Sequence, residues 1–148
     1  MTIVRVAVLA VLVALAPHLA AAQSLQKTMS DFGLLGVWAP DCSKPTAVDN
    51  QRATYKATSA NSASLVYVAG EKYNDNAYTI SGARFLDAAT IELNEEFLTD
   101  HSQMVVTVVK ANGRIRTFAS REVNGSVLIR DGVVTSTGRP TNWLSRCN

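Results

Sequence analysis

The chain has 148 residues, 47% of them hydrophobic, with 14 Lys and Arg against 12 Asp and Glu. A formal charge of +2 without a cluster of either sign leaves nucleic-acid binding without the basic stripe it depends on. The nearest approach, Arg114, Arg116 and Arg121, reads as the solvated face of a strand, and the length has no room for a second domain.

The N-terminus carries one charge, Arg5, before an almost unbroken apolar run from Val6 to Leu15, then Pro17 and the small residues Ala20, Ala21 and Ala22. That is the layout of a signal peptide. The run is shorter than the roughly 20 residues a membrane span needs, and Ala20 and Ala22 provide a small-x-small site for cleavage before Gln23; an uncleaved anchor is the competing reading. Residues 1–22 are therefore expected to be a signal and 23–148 a single domain, extracytoplasmic (periplasmic or secreted), monomeric and without a transmembrane segment. Loss of Arg5 leaves 13 basic against 12 acidic residues, so electrostatics nominate no partner.

From Ser24 to Leu34 the pattern is helical, with Leu25, Thr28, Met29 and Phe32 on one side and Gly33 as a stop. Thereafter short runs rich in Val, Ile, Thr, Tyr and Phe predict strands at 36–39, 51–57, 64–69, 77–86, 90–97, 102–110, 114–122, 126–130 and 133–136. Asn112-Gly113, Asn124-Gly125 and Asp131-Gly132 stand between such runs and supply the positive φ angles of tight hairpin turns. The segment 137–141 reads as a loop leading into the tail. Sequential hairpins favour a small antiparallel up-and-down β-barrel of about 8 strands with a short N-terminal helix; a two-sheet β-sandwich is the alternative.

Cys42 and Cys147 lie near the two ends of the mature chain, and in an oxidising compartment a disulfide between them is the natural inference. Two free thiols, or pairing with another chain, remain the alternatives.

Gly36-Val37-Trp38, after an amphipathic segment containing Phe32, resembles the entry of lipocalin-like barrels. That resemblance implies that Trp38 plugs the closed end under an Arg or Lys from a late strand, with Arg130 or Arg146 as candidates; the second motif of that family is not found at Ala111-Asn112-Gly113-Arg114. The wider frame, Gly36-Val37-Trp38-Ala39-Pro40-Asp41-Cys42-Ser43-Lys44-Pro45 with Asn142-Trp143-Leu144-Ser145-Arg146-Cys147, is similar to small exported bacterial proteins of uncharacterised function. It implies an extracytoplasmic location and a Cys42 to Cys147 bridge, and it brings no activity.

The mature chain holds one histidine, His101, and no spare thiol if the cysteines pair. A His-rich metal site and a Cys nucleophile fall away, and no G-x-S-x-G elbow, P-loop or dinucleotide fingerprint occurs. Asp100-His101-Ser102 contains triad residue types, but adjacent residues cannot assemble a triad, so no catalytic residue, cofactor or metal is expected. Strand parity puts Ile91, Leu93, Glu95 and Phe97 on one face and Tyr78, Ile80, Gly82 and Arg84 on one face of the preceding strand, which allows an internal Arg84 to Glu95 pair unless a bulge at Gly82 turns Arg84 out. Trp38, Tyr55, Tyr67, Tyr78, Arg84 and Glu95 are the candidate ligand-lining residues. The leading expectation is an exported non-enzymatic binding module for an unidentified small molecule or protein, possible inhibitors included; the alternatives are an envelope-associated structural protein and, with least support, a hydrolase using Glu95 or Asp100.

Overall fold

The computed structural model describes residues 23–148, so the expected signal, 1–22, lies outside the described residues. Helix α1 (Leu25–Phe32) begins at Ser24, whose hydroxyl accepts from the Lys27 N–H at 3.3 Å, and ends at Gly33 in the left-handed conformation, φ 78°. Its buried face is Leu25, Thr28, Met29 and Phe32, the face set by the 3.6-residue period.

Ten strands follow: β1 (Gly36–Ala39), β2 (Arg52–Ser59), β3 (Ser62–Val68), β4 (Asn76–Asp87), β5 (Thr90–Phe97), β6 (Gln103–Ala111), β7 (Arg114–Glu122), β8 (Val127–Arg130), β9 (Val133–Val134) and β10 (Leu144–Cys147). Each of β1 to β8 pairs antiparallel with the next. The turns at Asn112-Gly113 and Asp131-Gly132 have positive φ at both residues, as tight hairpins of the primed type require. At Asn124-Gly125 only the glycine does, and the Asn124 side chain accepts from the Ser126 N–H instead.

The ring closes through β10, which pairs with β1 (Val37↔Cys147) on one side and with β7 (Leu144↔Ile115) on the other. Strands β1 to β7 and β10 thus form a closed antiparallel barrel of eight strands, which rules out the sandwich, while β8 and β9 lie outside the ring. The sequence reading placed strands at 126–130 and 133–136 and treated 144–147 as tail. The edge of β7 is in fact divided: Ser120 and Arg121 pair with β8, and Arg114 and Ile115 pair with β10. A four-residue strand held by two partners needs little β propensity of its own, so Leu144-Ser145-Arg146-Cys147 carries no strong strand signal.

Cys42 and Cys147 are bridged, with Cα atoms 5.4 Å apart, so the loop after β1 is tied to the strand that closes the ring. Arg52 braces the clasp, donating to the Cys42 and Lys44 carbonyls at 3.2 and 2.7 Å. On the outer side of the seam the Arg116 guanidinium stacks over Trp143 at 4.8 Å and Phe118 at 5.7 Å.

The two ends of the barrel differ. At one, α1 packs across β3 and β4, Gln26 N–H bonds to the Ala60 carbonyl in the β2–β3 turn, and Trp38 donates to the Leu34 carbonyl at 2.8 Å. Lys110 reaches the Phe32 carbonyl at 2.7 Å and Arg146 the Gly33 carbonyl at 3.4 Å, two cations on the negative end of the helix dipole. Of the two candidates for covering Trp38, Arg146 is the one in place, 5.8 Å above the ring. This half of the interior is filled by fully buried Leu65, Ile80, Ile91, Leu93, Val108 and Ile115.

The separation of 105 residues between the bridged cysteines predicts that Cys42→Ser with Cys147→Ser lowers unfolding stability by about 4–5 kcal/mol through denatured-state chain entropy. Denaturant titration of residues 23–148 carrying both substitutions measures this. A change below about 1 kcal/mol shows that β10 closes the ring without the clasp.

Candidate functional site

The other half of the interior is polar. β2, β3, β4 and β5 point Tyr55, Tyr67, Tyr78 and Glu95 inward, where they line one cavity of about 160 Å³. Cross-strand register brings them together: Tyr67 stands opposite Ala53, Tyr78 opposite Leu65, and Glu95 between Ile80 on one side and Met104 on the other. The far wall is Met104 and Val106 of β6, Thr117 and Ser120 of β7, and Leu128 and Ile129 of β8. A second cavity of about 310 Å³ shares Tyr67, Thr117 and Ile129 and runs out past Pro40, Pro140 and Leu144 along the gap between β8 and β10.

The rings are ordered by mutual packing. Tyr67 meets Tyr78 edge-on at 6.1 Å, and Tyr78 stacks on Phe97 at 4.9 Å, contacts worth about 0.5–1.5 kcal/mol each beyond burial. Burial pushes all three tyrosine hydroxyls above their ordinary range, Tyr55 and Tyr67 most, and the charge of Glu95 adds to each. The Tyr55 and Tyr67 hydroxyls act on one another, and Thr117 on that of Tyr67, within the same cavity.

Glu95 is only 6% exposed, and its Oε1 is buried without a hydrogen-bond partner. Removal from water favours the neutral acid, so its carboxyl is pushed up to about 8. The partner that parity offered is elsewhere. Ser81 is an extra residue in β4, because Ile80 pairs with Glu95 while Gly82 already pairs with the adjacent Asn94. That bulge reverses the alternation, so Arg84 faces outward and binds Glu92 at 2.7–2.8 Å with its side chain 68% exposed. The expected Arg84 to Glu95 pair is thereby corrected, and Arg84 does not join the cavity. Gly82 accommodates the turn, since a Cβ there would stand 2.7 Å from the Asn94 amide nitrogen.

Trp38 also lies away from the cavity, buried beneath α1 at the opposite end. None of the six far-wall residues was among the sequence candidates. A second bulge, at Phe118, lets Thr117 and Ser120 both face inward although they are three positions apart, and Ile129 belongs to a strand outside the ring.

Outside the cavity, Asp100 and His101 sit on the exposed β5–β6 loop; Asp100 accepts from the Ser102 N–H and His101 contacts Glu96 at 2.7 Å, so these neighbours form no triad. Among the described residues no group of three or more His, Cys, Asp and Glu side chains is placed to hold a metal ion. No protein-family model, curated protein or solved structure matches the chain.

With Glu95 near 8 when folded against an ordinary 4.5, the folded state holds the extra proton. Stability therefore falls as pH rises from about 4.5 to about 8 and levels off above. Glu95→Gln removes that decline: unfolding free energies of variant and wild type from denaturant titration converge at pH 4.5 and separate by about 3–5 kcal/mol at pH 8.5, the variant being the more stable. Parallel pH profiles would show that the carboxyl is solvated.

Proposed function

We propose that the protein is an exported, non-enzymatic binding module whose barrel mouth takes a small molecule. The observation that carries this reading is the cavity bounded by Tyr55, Tyr67, Tyr78 and Glu95, with a buried carboxyl oxygen left unpartnered. An unsatisfied buried polar group costs about 1–3 kcal/mol, and a purely structural barrel would gain stability from an apolar side chain at that position. A ligand that supplies the missing partner offsets this cost.

Export is supported by the signal-like residues 1–22 with cleavage near Ala22-Gln23, and the Cys42–Cys147 bridge fits an extracytoplasmic location. No helix among the described residues is long and apolar enough to cross a membrane.

A second reading, contact with a protein partner as an inhibitor or an envelope component, is favoured by the rim. Tyr73, Leu98 and Val123 stand on three of the loops around the cavity end and are 57%, 47% and 67% exposed. The hydrolase reading has the least support, because Glu95 is the one carboxyl among the cavity's lining residues and neither Asp100 nor His101 lines it.

Thermal-shift screening of the mature protein against lipids, sugars and peptides tests the reading. A ligand at a hundred times its dissociation constant stabilises by about 2.7 kcal/mol, a rise of several degrees in a domain of this size. Tyr67→Ala, which alters the wall common to both cavities, abolishes the shift. A panel without a hit, or hits indifferent to Tyr67→Ala, contradicts small-molecule binding here.

A further inference from the structure

We infer that the cavity receives a small organic ammonium ion, whose charge sits against the Glu95 carboxylate inside the aromatic box of Tyr55, Tyr67 and Tyr78. The inference rests on the binding-module reading and adds the chemical class of the ligand.

Three features select the cation. Neither cavity has a Lys, Arg or His among its lining residues, so an anion would meet Glu95 with nothing to balance it. Glu95 lacks an internal counter-ion because the Ser81 bulge sends Arg84 to the outer surface, and its Oε1 is unbonded. Tyr55, Tyr67 and Tyr78 line the same cavity as that carboxyl, with Tyr67 and Tyr78 fixed edge-on to one another, so the space around Glu95 is walled by the aromatic residue types whose ring quadrupoles hold ammonium groups. A neutral ligand could use the hydroxyls but would gain nothing from the rings' quadrupoles or the carboxylate. The cavity of about 160 Å³ suits a compact head group, and the shared wall at Tyr67, Thr117 and Ile129 gives an attached chain a way into the larger cavity.

Binding is then coupled to a proton. The titratable groups facing Glu95 are Tyr55 from β2, Tyr67 from β3 and Tyr78 from β4; β6, β7 and β8 contribute Met104 and Val106, Thr117 and Ser120, and Leu128 and Ile129, none of them titratable. In the empty barrel near neutral pH Glu95 holds its proton, and the ammonium ion expels it to solvent to form the ion pair. Affinity accordingly rises about tenfold per pH unit from about pH 5 to 7 and levels off above the Glu95 midpoint.

The test uses the mature protein, choline as probe and 3,3-dimethyl-1-butanol as its neutral carbon isostere, with binding followed by calorimetry in two buffers of different ionisation enthalpy. The expected result is choline binding at least tenfold tighter than the isostere, release of nearly one proton at pH 6.5, and affinity that climbs with pH. Glu95→Gln retains the fold, weakens choline at least tenfold at pH 8 and flattens the pH profile. Met104→Lys, which places an ammonium opposite Glu95 in the register, blocks choline while remaining folded. Equal or tighter binding of the isostere, or choline binding without proton release, overturns the ammonium assignment and leaves the binding module standing. Failure of both probes to bind also overturns it, and the module reading is then decided by the lipid, sugar and peptide screen.

Discussion

The barrel depends on its last strand, the four residues Leu144–Cys147. β10 is the bridge that turns a meander of strands into a ring, and it is too short to hold that position by its own ladder. Covalent attachment of Cys147 to Cys42 fixes one end of it, the Arg116 stack with Trp143 covers the approach to it, and Arg146 extends from it over Trp38. Closure, helix docking and the plug beneath the helix therefore share one segment. A closed ring also removes the exposed edges that a sheet of this length would otherwise present, apart from the short hairpin of β8 and β9.

Closure creates an interior of two halves. Near α1 the inward residues are aliphatic and wholly buried, and this half supplies the stability. Toward the other end the same strands present tyrosines, a threonine, a serine and one glutamate around open space. Polar groups in such a position weaken the fold, and local departures from sequence–structure consistency mark functional sites. Glu95 is the sharpest case: the chain encodes a carboxyl on an otherwise apolar face between Ile80 and Met104, then uses a bulge to withhold the arginine that would neutralise it.

Much of this was legible in the residues. The β-prone runs between turn signals located nine strands, the Asn-Gly and Asp-Gly dipeptides located the hairpins, and parity alone put Tyr55, Tyr67, Tyr78 and Glu95 on the inner face. What escaped follows from single inserted residues. Ser81 reversed the parity of Arg84, and Phe118 brought Thr117 and Ser120 to the same side; neither residue type announces a bulge. β10 escaped because its pairing comes from two strands distant in sequence, and Ile129 because a strand outside the ring still reaches the cavity. The disulfide was legible from compartment, whereas the choice of Arg146 over Arg130 above Trp38 required the register of β10 with β1.

The central claim is that the mouth of this barrel holds an unpartnered, desolvated carboxyl. It is tested most directly by the side-chain carboxyl carbon resonance of Glu95 in selectively labelled protein spanning residues 23–148, followed from pH 3 to 10. A midpoint near 8 in the ligand-free protein is the predicted result. A midpoint near the ordinary 4.5 would mean that water or a cation already satisfies the carboxyl, and the account of the cavity would be wrong.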